Sequence, residues 1–194
     1  MARQREFDPK AVIDQAIPVF ARLGYEATSV RDLKEAMGIS SSSMYEVFGD
    51  KRGVFLAALS SACEQERAQI AQMALDAVAP ERFIERLFAS LEVVKENPPL
   101  RQGSLSLNAM AEFGTRDPDV THLLLEHYLG ITRIIAEVLG KAQETGTITT
   151  QTEPLHLAYT ILSTLQGVAA VKGVKPDFAY VQAVTQTILK LLNR

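Results

Sequence analysis

The spacing of apolar residues predicts that the chain is helical almost from end to end. Apolar positions recur every three or four residues, and no segment shows the sustained alternation of a strand. The first apolar stripe is Val12, Ile13, Ala16, Ile17, Phe20 and Leu23. Asp8 and Pro9 precede it and Gly24 follows it, which are typical helix boundaries. We expect an all-α fold whose first helix bends at Pro18, because proline removes a backbone hydrogen bond.

Two short helices are predicted next. Ser29 with Asp32 three residues later is an approximate capping box at the start of a second helix. Gly38 ends that helix, since glycine tolerates the positive φ of a tight turn. Ser40 then caps a third helix of about two turns that ends at Gly49. Two short helices joined in this way form a helix-turn-helix, whose second helix lies in a DNA major groove.

The remainder of the chain predicts about six further helices. Asp50 is a plausible cap for the first of them. Turn-forming residues divide the rest at Pro80, 97–99, 114–118, 146–152 and 173–176. We therefore predict a three-helix DNA-binding domain over residues 1–50 and a larger helical ligand-binding and dimerisation domain over 51–194.

Composition indicates a soluble, cytoplasmic protein. Of 194 residues, 47% are hydrophobic and 22% are charged, which are ordinary globular values. The most apolar stretch, 155–171, is interrupted by polar residues, so we expect no membrane helix. The amino end carries no secretory pattern, and the single cysteine, Cys63, agrees with a reducing compartment.

Charge does not by itself indicate nucleic-acid binding. Residues 1–52 contain eight basic and eight acidic side chains, and the whole chain has a formal net charge of −3. The prediction of DNA binding therefore depends on the local arrangement of the third helix.

The exposed face of the third helix is rich in hydroxyl groups. It is predicted to comprise Ser40, Ser41, Ser42, Ser43, Tyr45 and Glu46. Serine hydroxyls donate or accept and allow close approach to DNA, while Tyr45 and Lys51 suit phosphates. Glu46 would accept from a cytosine amino group or pair with Arg52. The alternatives are that Tyr45 packs against the first helix, or that 29–48 is a buried hairpin, for which four serines are poor core material.

The segment from Gly24 to Phe55, GYEATSVRDLKEAMGISSSSMYEVFGDKRGVF, resembles the TetR family of regulators. The family pattern is similar to GYxxTSVRDLxxAxGISxxSxYxxFxxKxxLF. The resemblance implies phosphate contacts for Thr28, Ser29 and Tyr45. It also implies that residues 41–43 face the major groove.

The same resemblance implies that Lys51 anchors the start of the long helix that follows. The chain departs from the family at Ser41, where many relatives have Lys or Arg. It departs again at Glu46, where they have His, Tyr or Trp, and at Pro18, which interrupts a usually unbroken first helix.

Mixed apolar and polar residues over 100–116 and along the helix from 117 to about 145 are suited to the wall of a ligand pocket. The predicted lining residues are Phe55, Leu59, Phe88, Leu91, Arg101, Met110, Phe113, Tyr128 and Ile131. Arg101 is a candidate partner for a ligand carboxylate, or else a solvated side chain. Each of the others is alternatively an ordinary core residue. TetR-like proteins bind inducers in such a space.

The last two helices, near 153–172 and 176–193, are apolar enough to need a partner surface. In the family they form a four-helix dimer interface, which would hold two recognition helices roughly 34–36 Å apart on a palindromic operator. The alternative is that they pack within one subunit.

No pattern in the sequence predicts a metal site, a cofactor or an enzyme. His122 and His127 are five residues apart and do not share a helix face. Cys63 is either small apolar packing or a redox sensor. The leading hypothesis is a homodimeric repressor that a small-molecule inducer releases from double-stranded DNA. The alternatives are an activator or constitutive DNA-binding protein without an inducer, and an all-α enzyme.

Overall fold

A computed structural model of the protein describes residues 7–92, 104–172 and 178–193. Within those ranges the regular structure is helical, with no strand, which confirms the predicted all-α fold. Its helices are α1 Pro9–Leu23, α2 Val30–Met37, α3 Ser41–Phe48, α4 Lys51–Asp76, α5 Pro80–Ala89, α6 Leu105–Phe113, α7 Pro118–Glu144, α8 Pro154–Lys172 and α9 Phe178–Leu192, with a 3₁₀ turn at Ser90–Glu92. Over the described ranges, α1 and the two short helices α2 and α3 are thus followed by six more, as predicted.

The predicted boundaries of α1 are confirmed. Asp8 Oδ1 accepts a hydrogen bond from the Lys10 N–H at 3.0 Å, and the Gly24 N–H donates to the Phe20 carbonyl at 2.8 Å. Pro18 lies inside α1, which runs as one helix from Pro9 to Leu23. The bend expected at Pro18 stays a prediction.

The helices group into two compact units. The first unit contains the described residues of 1–65 and 103–125, and the second contains those of 66–102 and 126–194. In sequence, α4 and α7 each begin in the first unit and end in the second. The first unit therefore joins α6 and the first part of α7 to the N-terminal helices.

An aromatic cluster holds the first unit together. The rings of Phe20 and Phe55 lie 5.1 Å apart edge to face, and Phe113 stacks on Phe55 at 5.1 Å. Leu33 of α2 and Met44 of α3 are fully buried in the same core. Burial of a side chain of this size contributes about 1.5–3 kcal/mol, so Met44 alone is a substantial anchor for the short α3.

The second unit has its own apolar core, built from four helices. Its buried residues include Phe83 and Phe88 of α5, Ile135 of α7, Ile161 of α8 and Ile188 of α9. In the described part of the chain, no helix is both long and apolar enough to cross a membrane.

Candidate nucleic-acid interface

Local hydrogen bonds fix the start of α2, and a glycine conformation fixes its end. The Ser29 hydroxyl accepts from the Asp32 N–H at 3.2 Å, and the Asp32 carboxylate accepts from the Ser29 N–H at 2.9 Å, so the predicted capping box is confirmed. Gly38 has φ 66° and ψ 24°, the left-handed conformation that glycine adopts without steric cost. The capping box therefore sets where α2 begins, and Gly38 sets where it ends.

The start of α3 is organised by serine hydroxyls. Ser40 Oγ accepts from the Ser43 N–H at 3.1 Å, and lies 2.9 Å from the hydroxyls of Ser42 and Ser43. Because Met44 is buried, the residues on the opposite side of α3 face outward. Ser42, Tyr45 and Glu46 are exposed there, Tyr45 by 47%, and Ser41 and Ser43 are half-buried.

Two residues that were expected to contact phosphate use their hydroxyl groups for hydrogen bonds within the protein. Thr28 is 1% exposed, and its hydroxyl donates to the Gly24 carbonyl at 2.6 Å. The Ser29 hydroxyl donates to Asp32 Oδ2 at 2.6 Å. Both residues lie in the loop before α2, and their contact with phosphate stays a prediction that requires these hydroxyls to change partner.

Lys51 fastens the first turn of α4 to the same loop. Its Nζ donates to the Thr28 carbonyl at 2.9 Å and to the Glu26 carbonyl at 3.4 Å. It also lies 4.4 Å from the centroid of the Tyr25 ring. The ammonium group is therefore held by two carbonyls and an aromatic face of its own chain.

The loop before α2 has a second attachment, to α6. The Glu112 carboxylate accepts from the N–H groups of Tyr25 and Glu26, each at 3.1 Å. On the same side of α6, the Asn108 amide donates to the carbonyl of Ala21, in the last turn of α1, at 2.8 Å. Sequence reasoning missed Glu112 and took Asn108 only as a polar residue of a pocket wall. The partners are 86 or 87 residues apart in sequence, so no local pattern indicates them.

Arg52 is bonded to acidic residues at the start of α7. Its Nη2 lies 2.9 Å from Asp117 Oδ1 and 2.7 Å from Asp119 Oδ2. The expected alternative pairing with Glu46 is therefore wrong, because the guanidinium faces this acidic pair. The Val120 backbone N–H, with help from Arg52, holds the pKa of Asp117 below its ordinary value.

The predicted pocket residues fall into both apolar cores. Phe55, Leu59, Met110 and Phe113 belong to the core of the first unit. The others that the structure describes belong to the core of the second unit, and they are Phe88, Leu91, Tyr128 and Ile131. Arg101 lies outside the described residues. A ligand-binding role stays a prediction for all nine.

His127 of α7 is a buried polar residue that the sequence analysis considered only as a metal ligand. The residue is 4% exposed, and its Nε2 lies 3.0 Å from Glu66 Oε2 on α4. Its Nδ1 is also buried and has no hydrogen-bond partner among the described residues. The spacing did carry a signal: His127 lies three residues after Leu124 and four before Ile131, both buried.

His122, which was considered as a metal ligand, and Cys63, which was considered as a redox sensor, lie in different surroundings. His122 is exposed on α7, and Cys63 is 2% exposed in the core of the first unit. Over the described ranges, no three His, Cys, Asp or Glu side chains group as a metal site would require.

The protein is all-helical, and its capped helix-turn-helix displays hydroxyl and phenol groups on the second helix. This is the architecture of a helix-turn-helix DNA-binding protein. Comparison with known proteins gives the family. The family model described as "Bacterial regulatory proteins, tetR family" matches residues 12–58, and "Tetracyclin repressor-like, C-terminal domain" matches residues 79–188. The second match covers more than half of the chain, which therefore belongs to the TetR family of DNA-binding transcriptional regulators.

Two bacterial relatives show the extent of the similarity. The chain is 31% identical to the uncharacterized HTH-type transcriptional regulator YezE of Bacillus subtilis over 120 residues, 62% of each protein. It is 27% identical to the HTH-type transcriptional repressor ComR of Escherichia coli over 168 residues, 86% of this chain and 80% of ComR. The match thus spans less than two thirds of YezE but most of ComR.

A solved structure shares the whole fold. It is a cysteine mutant of the TetR family regulator CifR in complex with a 26-bp double-strand operator DNA. The TM-score is 0.80 at 24% identity, over 98% of this chain and 100% of that chain.

Proposed function

We propose that the protein is a homodimeric repressor that binds a palindromic operator through α3 and is released by a small-molecule inducer. The observation that carries the DNA-binding part is the outward face of α3, where Ser42, Tyr45 and Glu46 are exposed opposite the buried Met44. The names of relatives support repression, since ComR is a transcriptional repressor. Its site of action is the cytoplasm, where bacterial DNA is found.

Residues 1–50 supply the DNA contacts in this proposal, and 51–194 supply ligand binding and dimerisation. The N–H groups in the first turn of α3 form the positive end of a helix dipole and suit a phosphate. Tyr45 supplies a phenol for a second phosphate, and residues 41–43 approach base edges. Hydroxyl and amide contacts of this kind compensate for an N-terminal segment that is not basic.

Selection of bound duplexes from a random DNA library tests the DNA-binding part. We expect a palindrome whose half-sites are separated by about one helical turn, 10 to 10.5 bp. Ser42→Glu places a negative charge on the exposed face of α3 and should reduce operator affinity at least tenfold. Ser42→Gln is the matched control, because it adds similar volume without charge. Failure of the native protein to bind selected or upstream DNA at low salt would refute the proposal.

Dimerisation is supported by apolar side chains that stay exposed on the last two helices. Tyr159 and Val171 of α8 are 37% and 42% exposed, and Leu191 of α9 is 45% exposed. Exposed apolar groups of this size are suited to an interface between identical subunits. Leu191→Glu should lower the mass measured by light scattering towards that of one chain, while Gln182→Glu, at an exposed polar position of α9, should not. A native protein of single-chain mass would contradict dimerisation.

Release by an inducer is supported by the size of the second unit, which has a core of its own, while α3 belongs to the first unit. A ligand that binds one conformation of the dimer better than another shifts the population away from the DNA-binding state. Operator release in a fluorescence anisotropy assay, scanned with cell metabolites, tests this part. Repression itself is tested by a reporter gene behind the selected operator, which deletion of the protein should activate.

A further inference from the structure

The unsatisfied nitrogen of His127 lies in the interior of the second unit. His127 is almost fully buried, and no described residue bonds to its Nδ1. Buried polar groups nearly always have a hydrogen-bond partner, and each exception calls for an explanation. An acceptor that a ligand satisfies is one such explanation.

The partner of the other ring nitrogen sets the chemistry of this one. Glu66 Oε2 lies 3.0 Å from Nε2, and an ionised carboxylate only accepts hydrogen bonds. When the ring is neutral, Nε2 therefore carries its hydrogen, and Nδ1 has an acceptor lone pair. The group that complements Nδ1 is an O–H or N–H donor.

Beside Glu66, apolar and aromatic residues lie close to His127 along the two helices. Ile131 follows it by one turn of α7 and is 5% exposed, and Ile70 follows Glu66 by one turn of α4 and packs against the same core. Tyr128, the next residue, stacks on Tyr159 of α8 with ring centroids 6.5 Å apart. An anionic ligand would lose its hydration here and lie close to the Glu66 carboxylate, so an uncharged donor is better suited to Nδ1.

We propose that Nδ1 of His127 is the hydrogen-bond acceptor that recognises the inducer, and that the inducer is a small, uncharged aromatic molecule with one hydroxyl donor, a phenol. This inference rests on the proposed function, because it names the chemistry of the inducer. The phenol O–H donates to Nδ1 and its ring packs among the apolar side chains of the second unit. Glu66 is a positioning residue that holds the ring tautomer.

The same pair offers a route from ligand to DNA. Glu66 and His127 lie on α4 and α7, whose N-terminal parts belong to the first unit. There Arg52 of α4 bonds to Asp117 and Asp119 at the start of α7. A ligand bonded to Nδ1 that moves His127 also moves Glu66 through the bond that joins them, and so displaces α7 and α4 together. Because the same two helices are joined next to the helix-turn-helix, they can transmit coupling between the sites.

The experiment compares phenols with their own methyl ethers, which lack only the donor. The probes are phenol, para-cresol and beta-naphthol, each with its methyl ether. The readouts are thermal stability, the ¹⁵N shift of His127 Nδ1 and release of the selected operator. We expect at least one phenol to stabilise the protein, shift Nδ1 and release DNA, with its ether about tenfold weaker or worse.

His127→Gln separates the two functions of the ring. The Gln amide can still donate to Glu66 but offers no acceptor at the position of Nδ1. We expect the variant to fold, to bind operator as the native protein does, and to lose the phenol response at least tenfold. His122→Gln, the same change at an exposed position of α7, is the control and should respond normally.

Three results would overturn the inference: no response to any of the phenols, equal responses to phenols and ethers, or a normal response in His127→Gln. If a different molecule releases operator from His127→Gln and native protein alike, the proposed function stands and this inference fails. If the native protein binds no operator, the proposed function fails, while stabilisation and the Nδ1 shift still decide whether the phenol binds.

Discussion

Replacement of Lys51 by methionine tests whether this residue organises the helix-turn-helix or holds DNA. Methionine keeps most of the apolar length of the side chain and removes the ammonium group. The native ammonium donates to two carbonyls of the loop before α2 and lies over the Tyr25 ring. The structure therefore predicts that Lys51→Met weakens the folded state before any DNA is added.

The magnitude follows from these contacts. Hydrogen bonds from a charged donor contribute about 1.5–3 kcal/mol. A cation over an aromatic ring at a partly exposed site adds about 0.5–1 kcal/mol. We expect a loss of about 2–4 kcal/mol, and chains of this size lose about 2–4 °C of Tm per kcal/mol. A fall of Tm by roughly 5–10 °C is therefore the central expectation.

Two measurements separate a positioning role from a phosphate contact. Thermal denaturation without DNA reports the loss of internal contacts. The slope of log affinity against log salt concentration reports the number of phosphates that the protein neutralises. Each contact with duplex DNA contributes about 0.9 to the size of that slope. We expect Lys51→Met to bind DNA more weakly with an unchanged slope. Lys10→Met, the same substitution at an exposed position of α1, should leave stability unchanged.

The opposite pattern would refute the reasoning. If Lys51→Met kept the native Tm and its salt slope fell by about 0.9 per subunit, the ammonium would be bonded to phosphate in the complex. The contacts with Thr28 and Glu26 would then contribute nothing measurable.

Three further substitutions test the turn, the cap and the charge of α3. Gly38→Ala should destabilise the fold by about 1–2 kcal/mol in urea because φ is positive, and Gly38→Asn by less; equal losses would contradict a backbone cause. Bonds from Ser29 hold the pKa of Asp32 below its ordinary 3.8, so ionised Asp32 stabilises the fold above that pH, and this stabilisation is lost as the pH falls through the lowered pKa. Ser29→Ala should raise that pKa in an NMR titration, and no change would contradict the capping box as its cause. Glu46→Gln should strengthen non-specific DNA binding roughly two- to fivefold at low salt, whereas weaker binding would show that the carboxylate accepts from a base.

The helix boundaries were predictable because their causes are local. The Asp8 cap, the Ser29–Asp32 box and the Gly38 turn each involve groups within a few residues of one another. The same holds for the outward face of α3, which follows from the single buried position at Met44. Local hydrogen bonding and helix periodicity are both readable from a sequence.

The attachments between distant segments were not predictable in this way. Arg52 has Glu46 close to it in sequence, yet its partners are Asp117 and Asp119, 65 and 67 residues away. The residues next to Glu112 in sequence do not indicate that its carboxylate bonds to the loop before α2, at Tyr25. Such pairings depend on the path of the whole chain, which apolar periodicity does not specify.

The bonds that hold the last turn of α1 and the loop before α2 affect how DNA specificity can change between related proteins. Glu112, Asn108 and Lys51 all bond to backbone N–H or carbonyl groups, at Tyr25, Glu26, Ala21 and Thr28. Every amino acid except proline offers the same backbone groups, so these hydrogen bonds, unlike the contact of Lys51 with the Tyr25 ring, do not depend on which side chains the loop carries. The residues of α2 and α3 can therefore change between proteins without loss of the hydrogen bonds from Glu112, Asn108 and Lys51. A chimera that keeps Glu112, Asn108 and Lys51 should accept a foreign helix-turn-helix, together with its operator preference.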